Sequence, residues 1–284
     1  ELRPVEARLR AMDAEGIDVQ VIYPTLFLVQ PLTQDPDFQA ALCRSYNSWM
    51  ADVTRGHDRL KWVAVTDLAN VDLAVDELKR VRDLGAVSVM LLGTHNTSQL
   101  SDPRFEPFFT AVERQKMPLA IHVGWSCPPM TQLFSTIWES LMVPFTLPVL
   151  CAFSSLIGGG VLDRHPNLKV GFFETGVGWL PYWLERMDHF WKFGEMKLAI
   201  GYQGQRPPVE YLRSGNLFFN CEVDEQLVPQ VVDLVGENQL VYASDMPHGD
   251  RTPHNARILW ERNDLSEQVK RKILSTNTLR FYGI

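Results

Sequence analysis

LKWVAVTDLANVDLAVDELKRVRDLGAVSVMLL, residues 60–92, is the stretch whose reading decides the fold. Residues 60–66 are a short run rich in β-branched and aromatic side chains, which predicts a strand. Residues 72–83 place Leu73, Val75, Leu78 and Val81 at helical spacing. Gly85 ends that helix, and residues 87–92 form a second apolar run. Strand, helix and strand joined by short turns make a parallel crossover. Both strands are apolar throughout, as expected where helices cover one face of a sheet and a core fills the other.

The same alternation continues in both directions. Further strands are predicted at 19–23, 118–123, 168–173, 217–220 and 240–244, with helical patterns at 105–115, 180–190, 225–234 and 265–274. The chain opens on a helical pattern at 5–15, so its partner strand is expected upstream of Glu1. Seven strand–helix units with one strand wanting predict an α/β protein: a (β/α)₈ TIM barrel, read as a single domain over residues 1–284. An open doubly wound sheet is the rival, but no G-x-G-x-x-G follows a first strand.

Composition narrows the function. A formal net charge of −7 offers no broad basic face, which argues against nucleic acid and leaves small molecules as partners. Cys43, Cys127, Cys151 and Cys221 are far apart and form no C-x-x-C, so reduced thiols in a cytoplasmic protein are expected. Residues 140–162 carry no charge, but Pro144, Pro148 and the triplet Gly158, Gly159, Gly160 break a membrane span; a buried helix followed by a loop is expected instead. That apolar stretch also makes a homodimer plausible.

Barrel chemistry sits at the C-terminal ends of the strands. His122 lies near the end of PLAIHV, Glu174 directly follows VGFF, and Asp245 directly follows VYAS. Separately they read as a core histidine, an arginine-paired glutamate and a helix cap. Together, at one end of one barrel, imidazole and carboxylate are the ligand types of zinc and related divalent ions. His248, three residues beyond Asp245, is a further candidate. Trp125, His95 and Arg251 are candidates for substrate contact, and Trp179 and His254 are also placed to line a pocket. His57 and His165 read as surface turns, and His189 as structural. No G-x-S-x-G, H-E-x-x-H or P-loop is present.

Five segments then carry a resemblance: MDAEGIDVQVIYPT at 12–25, LAIHVGW at 119–125, VLDRHPNLKVGFFETGVGWLPYWLERMD at 161–188, LVYASDMPHGD at 240–250 and NTLRFYGI at 277–284. In this order the chain resembles the amidohydrolase-related family that includes aminocarboxymuconate-semialdehyde and resorcylate decarboxylases. The resemblance implies a distorted barrel holding one divalent metal, commonly zinc. It implies ligands from a His-x-His on the first strand, a His on the fifth and an Asp on the eighth. Counting the expected upstream strand, His122 is on the fifth and Asp245 on the eighth. There are two departures. No His-x-His occurs in residues 1–284, and the sixth-strand turn, where the decarboxylases have a histidine, reads Glu174-Thr175-Gly176-Val177-Gly178-Trp179.

Three functions follow as expectations. The leading one is a metal-dependent hydrolase of a small organic substrate. In it His122 and Asp245 hold the metal, Asp245 accepts the proton of bound water, Glu174 acts as base, orienting group or extra ligand, and His248 positions substrate. The second is a nonoxidative decarboxylase of an aromatic or muconate-like acid, with Arg251 meeting the carboxylate. The third is a metal-free barrel that only binds a ligand or partner.

Overall fold

The computed structural model describes residue 2 and residues 4–193, 200–249 and 251–284, so Asp250 of the quoted segment 240–250 lies outside the described residues. Seven parallel strands form one sheet in sequence order: β1 (Gln20–Ile22), β2 (Leu60–Val65), β3 (Ser88–Leu92), β4 (Leu119–His122), β5 (Val170–Phe173), β6 (Leu217–Asn220) and β7 (Leu240–Val241). Each is shorter than or equal to the predicted run. β3 and β4 pair with Leu92 opposite His122, and β4 and β5 with His122 opposite Phe173.

The sheet curls. The Thr25 hydroxyl, in the turn after β1, meets His248 Nε2, in the loop after β7, at 3.3 Å, and Arg8 donates to the Met246 carbonyl at 3.0 Å. A flat sheet of seven strands would separate its first and last members by roughly 28 Å at about 4.8 Å per step. The two ends are therefore wrapped toward each other, as in a barrel, with no strand pairing between β1 and β7 among the described residues.

Alternation along the strands sorts the core into two parts. Val63, Val65, Met90, Leu92, Ala120, Phe173, Phe218 and Val241 face inward with Phe281 and Tyr282 of the C-terminal helix. Trp62, Ala64, Val89, Leu91, Ile121, Phe172 and Phe219 face outward beneath the helices. The lumen is thus packed solid below the mouth, and polar chemistry is confined to its upper rim.

Two expectations needed revision. A 19-residue helix, Pro36–Thr54, stands between β1 and β2 where no helical pattern was picked out. Its buried face carries Gln39, Cys43 and Asn47, so its apolar stripe is interrupted. Asn47 substitutes for a strand neighbour: its side chain donates to the Val65 carbonyl and accepts from the Val65 N–H, both at 2.9 Å. His165 is not on the surface. It is buried between Glu106 at 2.9 Å and Glu113 at 3.2 Å, pinning the turn before β5 to the helix Glu106–Arg114 that precedes β4. The uncharged stretch does contain a mostly buried helix, Leu147–Gly158, which ends at the glycine triplet. Gly159 is required there, since a Cβ would lie 2.3 Å from that of Ser101. By length and composition Ile137–Gly158 could cross a membrane, yet Leu150, Phe153, Leu156 and Ile157 are committed to this core.

Candidate metal centre at the barrel mouth

β4 ends on His122, whose side chain is buried. Its Nδ1–H donates to the carbonyl of Val123 at 3.0 Å, which turns Nε2 toward Glu174 Oε1, 3.4 Å away. Tyr23, at the end of β1, stacks on the imidazole at 5.3 Å between ring centres and holds its hydroxyl 2.6 Å from that of Tyr282.

Glu174 follows β5 with a backbone φ of 60°, and Asp245 follows β7 with φ of 47°. Non-glycine residues take this left-handed conformation at a cost of roughly 1–3 kcal/mol when the surroundings impose it. Here the imposing contacts are visible for Glu174. Its N–H is held by the Asn220 side chain at 3.0 Å, and the turn that follows is capped by Glu225, which accepts from Val177 and Gly178 at 2.8 and 3.0 Å. His248 donates from Nδ1 to Asp245 Oδ1 at 2.6 Å.

The result is that one ligand atom each from Glu174, Asp245 and His248 lies within 4.8 Å of the others. Two carboxyl groups this close must share a proton or face a cation, because both cannot stay ionised side by side without one. A hydrogen bond from the Asp245 carboxyl is among the causes holding Glu174 low. Two oxygens and an imidazole nitrogen suit a divalent cation, so the donor set fits the metal that the resemblance implies. His122 stands beside this set rather than in it. Of the ligand pair expected from the sequence, Asp245 belongs to this group, and His122 adjoins it through Glu174.

Electrostatics reflects the crowding. Burial works against a charged His122, but Glu174, the Val123 carbonyl and Asp245 outweigh it and leave the imidazole raised above 6.5. Burial likewise opposes a charged Glu174, and His122 and His248 more than compensate, leaving it lowered. Glu222, two residues past β6, was not singled out in the sequence. Enclosure by the loops, then Glu225, Glu174, Asp245 and Asp224, push its carboxyl up to about 7, although one side of it opens to solvent. The signal that could have found it is its place: a carboxyl just beyond a strand that ends in an inward amide, Asn220.

The expected substrate-contact residues divide. His95 is at the mouth, on the short hairpin Thr94–His95 and Ser98–Gln99, 3.9 Å from Asp67 past β2. Trp125 instead anchors a loop: its indole N–H donates to Ser140 at 2.6 Å and its ring packs on Phe145. Arg251 donates from Nη2 to the buried carboxyl of Glu15 at 2.9 Å, which His254 also engages, while its Nη1 is buried without a hydrogen-bond partner among the described residues. Trp179 packs against Phe153 and Phe219. Two surface cavities, about 360 and 290 Å³, involve none of these mouth residues. Converging ionisable groups at the strand ends mark the site better than either groove, since gathering them has a cost that a crevice does not.

Comparison with known proteins agrees with this architecture. The amidohydrolase family matches residues 3–284, and the chain belongs to that family. It is 25% identical to 2-amino-3-carboxymuconate-6-semialdehyde decarboxylase of Dictyostelium discoideum, over 98% of this chain and 76% of the relative. It is 25% identical to gamma-resorcylate decarboxylase of Rhodococcus jostii, over 98% and 87%. Among solved structures, an amidohydrolase from Mycobacterium avium subsp. paratuberculosis superposes with a TM-score of 0.86 at 22% identity, covering 98% of this chain and 74% of that one. 5-Carboxyvanillate decarboxylase from Novosphingobium aromaticivorans, complexed with manganese and a nitrobenzoic acid, gives 0.84 at 24% identity, covering 98% and 80%.

Proposed function

We propose that the protein is a metal-dependent nonoxidative decarboxylase of an aromatic or muconate-like carboxylic acid. The observation that carries this reading is the end-to-end similarity to two decarboxylases of such acids, joined to a donor triad at the barrel mouth. Hydrolysis, the leading expectation from the residues, rests on the breadth of the superfamily and becomes the second reading.

Glu174, Asp245 and His248 would hold the metal, with His122 backing Glu174. Manganese in the 5-carboxyvanillate decarboxylase structure supports a divalent ion, and zinc is the alternative. Once bound, the metal would supply positive charge that orients the substrate's carboxylate and adjacent oxygens. In the reaction the carbon bearing the carboxylate takes a proton, the bond to the carboxylate breaks, and carbon dioxide leaves. The chain's own residues must deliver that proton. The carboxyl of Asp245, hydrogen-bonded to His248 and adjoining Glu174, is the group for this. Tyr23 and Phe173 close the floor beneath His122 and keep water from below. In the second reading the same Asp245 takes a proton from water.

The test is a screen of metal-reconstituted protein against hydroxylated benzoates and muconate-like acids, reading carbon dioxide release beside hydrolysis of esters, lactones and amides. Carbon dioxide release is expected. Hydrolysis without it would replace the proposal by the second reading. A second copy of the chain as partner belongs to the same proposal, supported by the exposed Leu133, Ile137, Trp138 and Met142. Light scattering checks it. The four free thiols support a reducing, cytoplasmic setting.

A further inference from the structure

Across the mouth from the donor triad, a buried carboxyl oxygen lacks a hydrogen-bond partner. Asp67 Oδ1 accepts from the Ala69 N–H at 2.8 Å, but Oδ2 has no hydrogen bond among the described residues, with only 3% of the side chain exposed. A buried acceptor left unmade is costly, so its position needs a reason. β2 ends on the inward Val65, which pairs with Met90, and Asp67 lies two residues beyond it on the mouth side.

The group facing Oδ2 is His95 Nδ1, 3.9 Å away, which is too long for a hydrogen bond. The imidazole is 12% exposed and set edge-on against Phe105. Its hairpin is tied down where Thr94 and Ser126 share a hydrogen bond of 2.7 Å. Burial lowers the imidazole against the pull of Asp67, which keeps it able to donate from one nitrogen while neutral. A single oxygen about 2.8 Å from each group would see them roughly 90° apart, close to the angle between an O–H bond and a lone pair. The hydroxyl would donate to Asp67 and accept from His95.

We propose that Asp67 and His95 together form a specificity site for a hydroxyl group on the substrate ring, across the mouth from the metal centre. Three strand spacings separate β2 from β5, which carries Glu174: about 14 Å along the curved sheet and less straight across it, within the span of one substituted ring with a hydrogen bond at each end. The proposal rests on the mouth being the active site and narrows the substrate to an aromatic acid bearing a ring hydroxyl.

Equilibrium binding tests it without turnover. Benzoate, 3-hydroxybenzoate and 4-hydroxybenzoate are titrated into the manganese-loaded protein, and resorcinol and 1,3-difluorobenzene serve as a pair without a carboxylate. The wild type should favour a hydroxylated ring over its unhydroxylated partner by about 10-fold or more, the scale of one hydrogen bond to a charged acceptor. Asp67→Asn and His95→Gln should reduce that ratio to about 2-fold or less while leaving benzoate affinity unchanged. If Asp67→Asn fails to fold, His95→Gln decides. A hydroxyl preference that survives in the folded variants, or none in the wild type because water bridges the pair equally well, overturns the proposal. Failure of the acid-decarboxylase reading looks different: benzoate does not bind, yet resorcinol still outcompetes difluorobenzene through Asp67.

Discussion

Asp245 is the residue on which most of the chemistry turns. Replacing it with Asn nearly keeps its shape but removes the group that moves a proton. Asp245→Asn is expected to lower kcat by roughly 10²–10⁴-fold, the range for loss of a general acid or base. The melting temperature of the metal-free protein should change little, since the residue lies on a loop at an opening rather than filling the core. Near-normal turnover in the Asn variant would remove it from the mechanism. His122 and Glu174 make a second prediction, for protein stripped of metal. The raised His122 contributes stability that is full below 6.5 and lost as pH rises through its folded value. The lowered Glu174 contributes stability that is present above 4.5 and lost as pH falls through its folded value. Both are in force between about pH 4.5 and 6.5. The melting-temperature difference between wild type and His122→Gln should therefore be greatest in that window and shrink on either side. A difference that is flat from pH 4 to 9 would show that the pair is not ionised as described.

At the scale of elements, the helix Pro36–Thr54 is joined to β2 through one side chain. Asn47 is fully buried and satisfies the Val65 N–H and carbonyl together with Glu77, to which it donates at 2.8 Å. Asn47→Leu has almost the right volume but leaves the Val65 N–H and carbonyl without their side-chain partner, while Glu77 keeps Arg80. At about 1–3 kcal/mol for each unsatisfied buried group, the loss should be at least about 2 kcal/mol. A protein of this size then melts several degrees lower. Because Asp67 lies two residues beyond Val65, hydroxybenzoate affinity should fall with it. A thermal unfolding curve unchanged by Asn47→Leu would mean that the helix is held elsewhere.

At the scale of the molecule, the curled sheet makes stability and metal interdependent. Glu174, Asp245 and His248 come from two strands separated by β6, and Thr25 from the far end of the sheet touches His248. A metal on the triad would thus clasp the last strand to β5. Chelation is expected to lower the melting temperature and abolish turnover, and manganese or zinc to restore both. Saturation at 100 times Kd corresponds to about 2.7 kcal/mol. Glu174→Gln should blunt the metal-dependent shift. An unfolding curve indifferent to chelator and to added metal would argue for the metal-free binding barrel.

The order of strands was legible in the sequence because parallel strands buried on both faces must be apolar, and crossover helices must be amphipathic. Those are local demands, and runs such as 60–66 and 119–123 answer them directly. The strand-end positions of His122, Glu174 and Asp245 were legible for the same reason. The partners were not. Arg251 is matched by Glu15, 236 positions away, and His165 lies between two glutamates of a distant helix. Asp67 and Glu222 acquire their character only when loops from other strands enclose them. The helix Pro36–Thr54 was missed because its buried face is polar, and a polar face earns burial only from partners such as Val65 that lie far along the chain. Periodicity is written into neighbouring residues. Which charges meet, and how much water reaches them, is decided by the curl of the whole sheet.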